Sequence, residues 1–595
     1  MDNTNTTSSL VYALFLAGLA IIVLLASLSG LSVLGLFFSK APSIHTALLA
    51  VIATAALLFF TTHKLIKDIH LYLLGLIFVI IAVAISLLLA SVFVDLSWDG
   101  NNYHKTAIYA LKNGWNPLSG SVSSTTLYSE LYPTNEEALW IDHYPHGLWL
   151  IQSSIYDAFN NIEMAKATTV FLAFSLLLLT ASLLAMSGVG IIRSLGIGLL
   201  AAISPANLAQ FTTFYCDGFL YSGLAILLLG LIFIIPSSFS TYRKAFLLQI
   251  SSAFLLCTNT KFTGLAYAGV FALAFLLLYF FLWVKRDSHA KTLQQLVSTG
   301  CYFLITVVLS VLVFGCSSYV LNFLHNGNPL YPLAGEEKVD IISYNEPPSF
   351  ESKSTFEKQV YSYFSEASNL PRDNEGIRSE PVLKIPLSIS TTELETLSVP
   401  DLRISGFGVL YSGIILISIP LYIGMLITSF KRKRIVFYIV LTYTIVSAAL
   451  AFGISDSWWA RYSPYVYYSN IILLAYYSLC PINTNQIYSH LCHFAKCSLV
   501  FLLITNCYLW LTFGVAANYG KSNMTNSQLK EIKEKCESEN VLLEVSWRNR
   551  PGPIYTFYDN NIECVIYKTD ELMSNPDGTF YSVSYRFIKP DGSQA

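Results

Sequence analysis

The sequence predicts an all-α polytopic membrane protein with about 13 transmembrane helices, large extramembrane loops and a small C-terminal α+β domain. Of its 595 residues, 54% are hydrophobic and only 12% are charged, which is more apolar surface than a soluble protein of several domains carries. Apolar runs long enough to cross about 30 Å of hydrocarbon recur along the chain. Polar stretches long enough to fold outside the membrane separate these runs into groups.

The predicted spans follow the apolar runs in chain order. They lie near residues 10–37, 44–62, 71–94, 168–189, 195–211, 218–236, 245–260, 263–284, 298–321, 405–429, 435–453, 464–481 and 498–516. The seventh window is short for a membrane span, because a helix rises only about 1.5 Å per residue. The first is too long for a cleavable signal peptide and follows no basic segment, so we expect it to remain as a span.

Lysine and arginine in the short loops predict the orientation, because these residues concentrate on the cytoplasmic side. With a cytoplasmic N-terminus, the inside loops hold most of them: Lys64, Lys67, Arg193, Arg243, Lys244, Lys285, Arg286, Lys291, Lys431, Arg432, Lys433 and Arg434. The short outside loops hold only Lys40, Lys261 and Arg461. The large loops and the C-terminal tail are therefore predicted outside.

This topology divides the chain into six segments. They are N-terminal transmembrane helices (1–94), a first outer loop (95–167), transmembrane helices (168–321), a second outer loop (322–404), transmembrane helices (405–516) and a C-terminal outer domain (517–595). In the tail, the helical KEIKEKCESE precedes VLLEVSW, IYTFY and TFYSVSYRF, whose alternation of apolar and polar residues predicts strands. Cys536 and Cys564 both fall in this outer tail, where a disulfide could form, although their spacing does not decide the pairing.

Asp99 stands at the mouth of a predicted membrane helix, in SWDGNNYHKTAIYALKNGWNPL (97–118). It could cap the helix that follows, since Asp is favoured near the positive end of a helix dipole. It could also act as a general base whose pKa is raised by partial burial beside Trp98. The two roles are compatible. Polar chemistry where headgroups meet water suggests an enzyme that acts on a lipid-borne substrate.

Lys261 and Arg461 are exceptions to the charge bias, because each is a cation at the outer edge of the bilayer. Such residues carry a desolvation cost and are expected to have partners. An anionic lipid phosphate would suit both, with Arg offering a two-pronged contact and Lys a point charge. Alternatively, each reaches to water or pairs with a nearby carboxylate such as Asp456 or Asp217.

The segment EEALWIDHYPHGLWL adds polar residues to the first loop, namely Glu136, Glu137, Asp142, His143, Tyr144 and His146. A divalent metal on Asp142, His143 and His146 is possible, but the spacing matches no established motif and Pro145 interrupts any helix between them. A polar wall of a substrate pocket, or a surface turn, is favoured. The aromatic residues Trp98, Trp115, Trp140, Trp458 and Trp459 stay open as sugar contacts.

The first loop resembles that of the GT-C superfamily of membrane glycosyltransferases. The shared features are an acidic residue just past a transmembrane helix, then Tyr103 and His104, a short helix and Gly-x-x-Pro at 114–117. The superfamily includes protein O-mannosyltransferases and the aminoarabinose transferases that modify lipid A, which use polyprenyl-phosphate sugars as donors. The resemblance extends from about residue 70 to about residue 480, where HNGNPLYPLAG (325–335) and DLRISGFGVLYSG (401–413) look like segments that leave and re-enter the membrane.

The resemblance implies roles for particular residues. Asp99 would be the catalytic base, and Lys261 and Arg461 would hold the donor phosphate. The residues implied in substrate binding are Tyr103, His104, Asp142, His143, His146 and Asp217, the last in TFYCDGFLYSG. Two departures argue against transferring a known acceptor: Gly100 follows Asp99 where those enzymes have Asp-Glu, and three predicted spans precede the acidic loop instead of one.

The function that the resemblance implies is transfer of a sugar from a polyprenyl-phosphate donor to a hydroxyl acceptor on an envelope glycan, lipid or protein, with inversion. The site would face the periplasm from a bacterial inner membrane. The alternatives are an oligosaccharide ligase or polymerase with a pyrophosphate-linked donor, a lipid or sugar transporter, and a binding scaffold in which Asp99, Lys261 and Arg461 are dispensable. The net charge of −2 gives no support to a nucleic-acid partner.

Overall fold

The computed structural model describes residues 3–131, 138–284, 290–341, 345–370, 380–480, 486–567 and 573–593. It is 72% helical and has a small C-terminal sheet. The helices of its N-terminal half are α1 (Asn3–Phe37), α2 (Ile44–Thr62), α3 (Ile69–Val92), α4 (Lys105–Lys112), α5 (Thr126–Leu131), α6 (Ala138–His143), α7 (Gly147–Phe159), α8 (Ala167–Met186), α9 (Ile191–Ala202), α10 (Pro205–Gln210), α11 (Asp217–Phe233), α12 (Arg243–Thr258) and α13 (Phe262–Val284).

The remaining helices include those of the second outer loop and of the C-terminal domain. They are α14 (Ala290–Val308), α15 (Leu321–Asn326), α16 (Thr355–Tyr363), α17 (Thr391–Thr396), α18 (Tyr411–Arg432), α19 (Arg434–Gly453), α20 (Pro464–Leu479), α21 (Gln486–Leu509), α22 (Ala516–Glu539) and α23 (Pro553–Asp559). Short π-helical turns interrupt or extend several of them, at Gly100–His104, Leu309–Val313, Cys316–Val320 and Trp510–Val515.

Within the described residues, eight helices are long and apolar enough to cross a membrane, or up to 10 when each of two bent pairs is counted as one span. The bent pairs are Asp217–Phe233 with Ser237–Thr258, at 119°, and Val297–Val313 with Cys316–Asn326, at 62°. The multi-pass helical architecture is therefore confirmed at this coarse level. The thirteen predicted windows overlap helices, but the window 195–211 covers parts of both α9 and α10, and some of the helices are shorter than the roughly 20 residues a span needs. The count of thirteen stays a prediction.

The helix α1 is central, and α2 and α3 are peripheral. In the stretch Ser9–Phe37, 72% of the residues of its apolar window are buried, against 11% in α2 and 28% in α3. Gly18 allows α1 to approach α8 closely, since an added Cβ would lie 2.8 Å from Leu179 Cγ. Small residues permit this kind of contact in membrane bundles. The apolar outer faces of α2 and α3 suit contact with lipid tails.

The C-terminal domain contains the four-stranded sheet, with strands β1 (Leu542–Trp547), β2 (Cys564–Ile566), β3 (Gly578–Phe580) and β4 (Val583–Ile588) in the order β2-β1-β4-β3. The first strand pairs in parallel with β2 and antiparallel with β4. The strands predicted in VLLEVSW and TFYSVSYRF are confirmed. The strand predicted in IYTFY is wrong: these residues belong to α23, because Pro553 occupies its first turn and fixes a helical φ.

The structure has the two cysteines of the predicted tail disulfide unpaired, and the disulfide stays a prediction. The structure has Cys536, in α22, and Cys564, in β2, as free thiols. The Cys564 thiol instead donates to the Ile562 carbonyl at 3.6 Å, within its own turn. Both residues contact the apolar core of the domain, and burial raises the pKa of the Cys564 thiol, as does the neighbouring Cys536.

The first outer loop and the C-terminal tail form one folded unit. The Tyr555 hydroxyl donates to Thr106 Oγ1 at 2.9 Å, and the Gly552 N–H donates to the Asn101 carbonyl at 2.9 Å. Asp559 accepts from the Tyr156 hydroxyl at 2.5 Å. Apolar residues of both segments share one core. The tail is reached by a continuous helical run, Ser489–Glu539, which passes through the predicted boundary at 516/517.

Candidate active site

A cavity of about 1180 Å³ opens where several helices end on one face of the bundle. Its wall comes from segments far apart in sequence: residues 94–103, 212–217, 398–403 and 459–462, the start of α22, and single residues that include Lys261, Arg550 and Tyr581. The topology predicted from the sequence puts all of these segments on the same, outer side. The structure brings them together around one cavity.

Asp99 lies in this wall at the start of the π-helical turn Gly100–His104. Its side chain makes no capping hydrogen bond, so the predicted capping role is wrong. The carboxylate instead lies 3.5 Å from Arg461 Nη1 and keeps 23% of its side-chain surface exposed. Burial raises the pKa of Asp99, Arg461 lowers it, and Asp401 and Asp217 raise it, with a net increase above the usual range. A carboxylate of this kind can accept a proton from a ligand in the cavity.

Arg461 is the centre of the charged cluster. Its Nη1 lies 3.0 Å from Asp401 Oδ1, 3.5 Å from Asp99 Oδ2 and 4.0 Å from Asp217 Oδ2. The guanidinium is stacked over Trp459, with its carbon 4.5 Å from the ring centroid. One nitrogen with two N–H groups cannot bond three carboxylates at once, so the carboxylates compete for it.

Lys261 pairs with Asp217, the residue that opens α11. The two charged atoms, Nζ and Oδ1, are 2.7 Å apart, and both side chains are buried. Asp217 also accepts from Gln210 Nε2 at 3.3 Å. Of the two carboxylates suggested by the sequence as partners, Asp217 is correct, while the carboxylate of Asp456 accepts from Ser455. Because both Asp217 oxygens have partners within the protein, we assign Asp217 to positioning Lys261.

Asp401 and Arg403 belong to the cluster, and the sequence reasoning missed them. Arg403 Nη1 lies 3.2 Å from Asp401 Oδ2, and its guanidinium stacks on Trp459 at 4.3 Å. Between them, Leu402 has a left-handed φ of 53°, which a branched residue adopts at a cost. A charge bias counted over short loops does not single out residues in a long loop. With these two, the cluster has three carboxylates and three cations and is neutral.

Four of the residues implied in substrate binding lie outside the cavity wall, where their polar atoms bond other parts of the first loop or the segment 317–322. His104 Nδ1 accepts from Trp149 Nε1 at 2.7 Å. His146 bonds Ser317 and the Ile141 carbonyl, each at 2.9 Å. Burial lowers the pKa of His104 to about 3 and that of His146 to about 4, so both are neutral.

Asp142 and His143, the other two, also use their polar atoms on partners within the protein. Asp142 accepts from Ser121 Oγ at 2.5 Å and from the Val122 N–H at 2.7 Å, and His143 Nδ1 bonds Asn322 at 2.6 Å. Within the residues that the structure describes, no three His, Cys, Asp or Glu side chains are grouped so that they could hold a metal ion. Glu136 and Glu137 lie outside the described residues. Tyr103, Tyr144, Trp98, Trp140 and Trp459 line the cavity.

Gly100, next to Asp99, occupies a position that has no room for a side chain. An added Cβ would lie 1.8 Å from Asp95 Oδ2 and 2.5 Å from Ser97 Oγ, so no side chain fits without a shift. We expect Gly100→Ala to lower the free energy of unfolding by about 1–3 kcal/mol and to reduce any activity that depends on Asp99. Thermal unfolding checks this, with Gly120→Ala as control, because a Cβ there meets only Ser124 Oγ at 3.6 Å. Equal effects of the two changes would contradict the packing argument.

The arrangement combines a partly exposed carboxylate, buried cations beside it and aromatic rings around both. Such a site can remove a proton from a hydroxyl, hold an anionic group and stack on a ring or sugar face. A comparison of the chain with models of protein families, with curated proteins and with solved structures finds no match.

Proposed function

We propose that this protein is a membrane glycosyltransferase that moves a sugar from a polyprenyl-phosphate donor to a hydroxyl acceptor. The single observation that carries the proposal is the exposed edge of the Asp99 carboxylate, 3.5 Å from the Arg461 guanidinium in a large cavity at the helix ends. A displacement of this kind requires a base for the attacking hydroxyl and a cation beside the departing phosphate. The resemblance of the first loop to GT-C enzymes supports the same reaction.

In the proposed step, Asp99 takes the proton of the acceptor hydroxyl as its oxygen attacks the anomeric carbon. The bond from that carbon to the phosphate oxygen breaks, and the polyprenyl phosphate leaves with the electron pair. Lys261 and Arg461 offset the charge that grows on the phosphate, an effect worth a few kcal/mol per group in a preorganised site. One in-line displacement inverts the anomeric centre. The acceptor would be an envelope glycan, lipid or protein on the periplasmic face of a bacterial inner membrane.

Donor binding to the purified protein in nanodiscs tests the proposal, with a synthetic short-chain polyprenyl-phosphate sugar as probe. Lys261→Met combined with Asp217→Asn removes both charges of the pair, so that no buried carboxylate is left alone. We expect the Kd for the donor to rise about tenfold or more, because Lys261 contacts the phosphate.

The matched control is Lys358→Met with Glu346→Gln, which removes an ion pair of the second loop that does not line the cavity. Its Kd for the donor is expected to stay within about twofold of wild type. Unchanged donor binding in the Lys261 and Asp217 variant would limit Lys261 to a structural role. Failure of every polyprenyl-phosphate sugar to bind wild type would reject the proposal.

The surplus of cations favours one second candidate, a ligase or polymerase that uses a pyrophosphate-linked donor. Besides Lys261 and Arg461, the cavity is lined by Arg403, Lys521 and Arg550, and a second phosphate would use additional positive charge. Binding of a polyprenyl-pyrophosphate sugar more than about tenfold tighter than that of the matching monophosphate would favour the ligase.

A further inference from the structure

The cations of the cavity fall into two sets. Each inner cation has a carboxylate partner: Lys261 pairs with Asp217, Arg403 with Asp401, and Arg461 with Asp401 and Asp99. The outer two are Lys521 in α22 and Arg550 in the loop before α23, and among the described residues neither has a carboxylate within 4.0 Å. Both line the same cavity. The lining as a whole has five cations and three carboxylates, so its surplus of two positive charges comes from the C-terminal domain.

Arg550 is held in place before any ligand arrives. Its guanidinium lies over Trp98, 4.6 Å from the ring centroid, and over Tyr581 at 5.2 Å. Arg550 Nη1 donates to the Tyr581 hydroxyl at 3.2 Å, and that hydroxyl donates to the Leu96 carbonyl. In the described part of the chain, the other guanidinium N–H groups have no hydrogen-bond partner. A preorganised fork with free donors loses little entropy when it binds an anion.

Arg550 and Lys521 line the same cavity as Asp99, the proposed base. Trp98, under Arg550, is the residue next to Asp99, so one turn carries both the proposed base and the ring that supports Arg550. On its other side, Asp99 faces Arg461. Lys521 lies at the rim, where its Nζ donates to Ser398 Oγ at 3.1 Å and its side chain is exposed. Trp98 is 47% exposed and offers a ring on which a sugar can stack.

We infer that Arg550 and Lys521, with Trp98, form a second anion subsite that takes a phosphate or carboxylate group of the acceptor. The acceptor is accordingly an anionic carbohydrate, and its specificity is set by the C-terminal domain. The inference rests on the proposed function in calling this ligand the acceptor. In the proposed function the donor phosphate lies against the inner cations Lys261 and Arg461, which line the same cavity. Because Arg550 and Lys521 have no carboxylate partner among the described residues, they bind a second anion without breaking an internal ion pair.

The test uses the full-length protein in nanodiscs of phosphatidylcholine, with glucose 6-phosphate as the anionic probe, glucose as its neutral match and farnesyl phosphate as the donor-side probe. We expect glucose 6-phosphate to bind and glucose to bind at least about tenfold more weakly. Arg550→Gln should weaken glucose 6-phosphate about tenfold and leave farnesyl phosphate within about twofold. Lys261→Met with Asp217→Asn should do the reverse.

Two variants protect the test against a folding defect. Lys521→Gln, at an exposed position, should weaken glucose 6-phosphate in the same direction as Arg550→Gln. Lys530→Gln removes another exposed lysine of α22, paired with Glu534 and absent from the cavity wall, and should change neither probe. Unchanged glucose 6-phosphate binding in both Arg550→Gln and Lys521→Gln overturns the inference.

The remaining outcomes are also decisive. Equal weakening of both anionic probes by Arg550→Gln would mean one shared anion site, and equal binding of glucose and glucose 6-phosphate would mean no anion site; either result overturns the inference. Loss of glucose 6-phosphate binding in nanodiscs made partly of phosphatidylglycerol would assign the subsite to a lipid headgroup and also overturn it. If farnesyl phosphate fails to bind while glucose 6-phosphate still depends on Arg550, the subsite is supported and the proposed function fails.

Discussion

Asp99→Asn is expected to abolish sugar transfer and to leave donor binding within about twofold of wild type. The change keeps the shape of the side chain and removes its ability to take a proton, for which a loss of about 10²–10⁴ in rate is typical. The loss is measured as single-turnover transfer in nanodiscs. Asp456→Asn is the matched control, because Asp456 is an acidic residue on the same predicted face that does not line the cavity.

The pH dependence of the wild type gives a second readout of Asp99. The base is active when deprotonated, and burial raises its pKa above the usual range. Transfer should therefore fall as the pH drops through that raised pKa, at a higher pH than an ordinary carboxylate with a pKa near 4 would give. Normal turnover in Asp99→Asn, or an acid limb at the pH of an ordinary carboxylate, would exclude Asp99 as the base.

Substitution of Arg461 should have the largest effect on stability. Arg461→Ala leaves the carboxylates of Asp99 and Asp401 without their main partner, and breaking a buried ion pair costs about 3–5 kcal/mol. Arg461→Lys keeps the charge but loses the planar group that stacks on Trp459. We expect Arg461→Ala to unfold at a clearly lower temperature, and Arg461→Lys to fold with transfer reduced about tenfold or more.

The comparison that isolates this effect is Lys358→Ala, which breaks the Lys358–Glu346 pair in the second outer loop. Among the described residues Lys358 has one carboxylate within 4.0 Å, whereas Arg461 has three, so the loss of Lys358 should cost less. Thermal unfolding and single-turnover transfer are measured for all three variants. Wild-type kinetics in Arg461→Lys would remove Arg461 from the reaction, and equal unfolding temperatures for Arg461→Ala and Lys358→Ala would contradict its central place in the cluster.

Part of this molecule follows from the sequence alone. Apolar windows predict helices because hydrocarbon offers no partner for backbone groups, so each span must satisfy its own hydrogen bonds. Lys261 and Arg461 were found in the same way, since a cation at the outer end of a helix opposes the insertion bias and needs a partner. Asp99 stands at the mouth of the predicted helix that contains α3, and the resemblance to GT-C enzymes makes it the candidate base. All three line one cavity.

Only the tertiary structure decided the rest. Asp401, Arg403, Lys521 and Arg550 lie in long segments where charges are common, and nothing local distinguishes those that turn toward the cavity. The first-loop residues Asp142, His143 and His146 looked like a site, but packing partners use their polar atoms. The segment IYTFY alternates like a strand and is a helix, because Pro553 fixes a helical φ in its first turn and its side chains are buried, with Tyr555 bonded to the first loop. Local pattern determines which segments enter the membrane, whereas contacts between distant segments determine which charges meet.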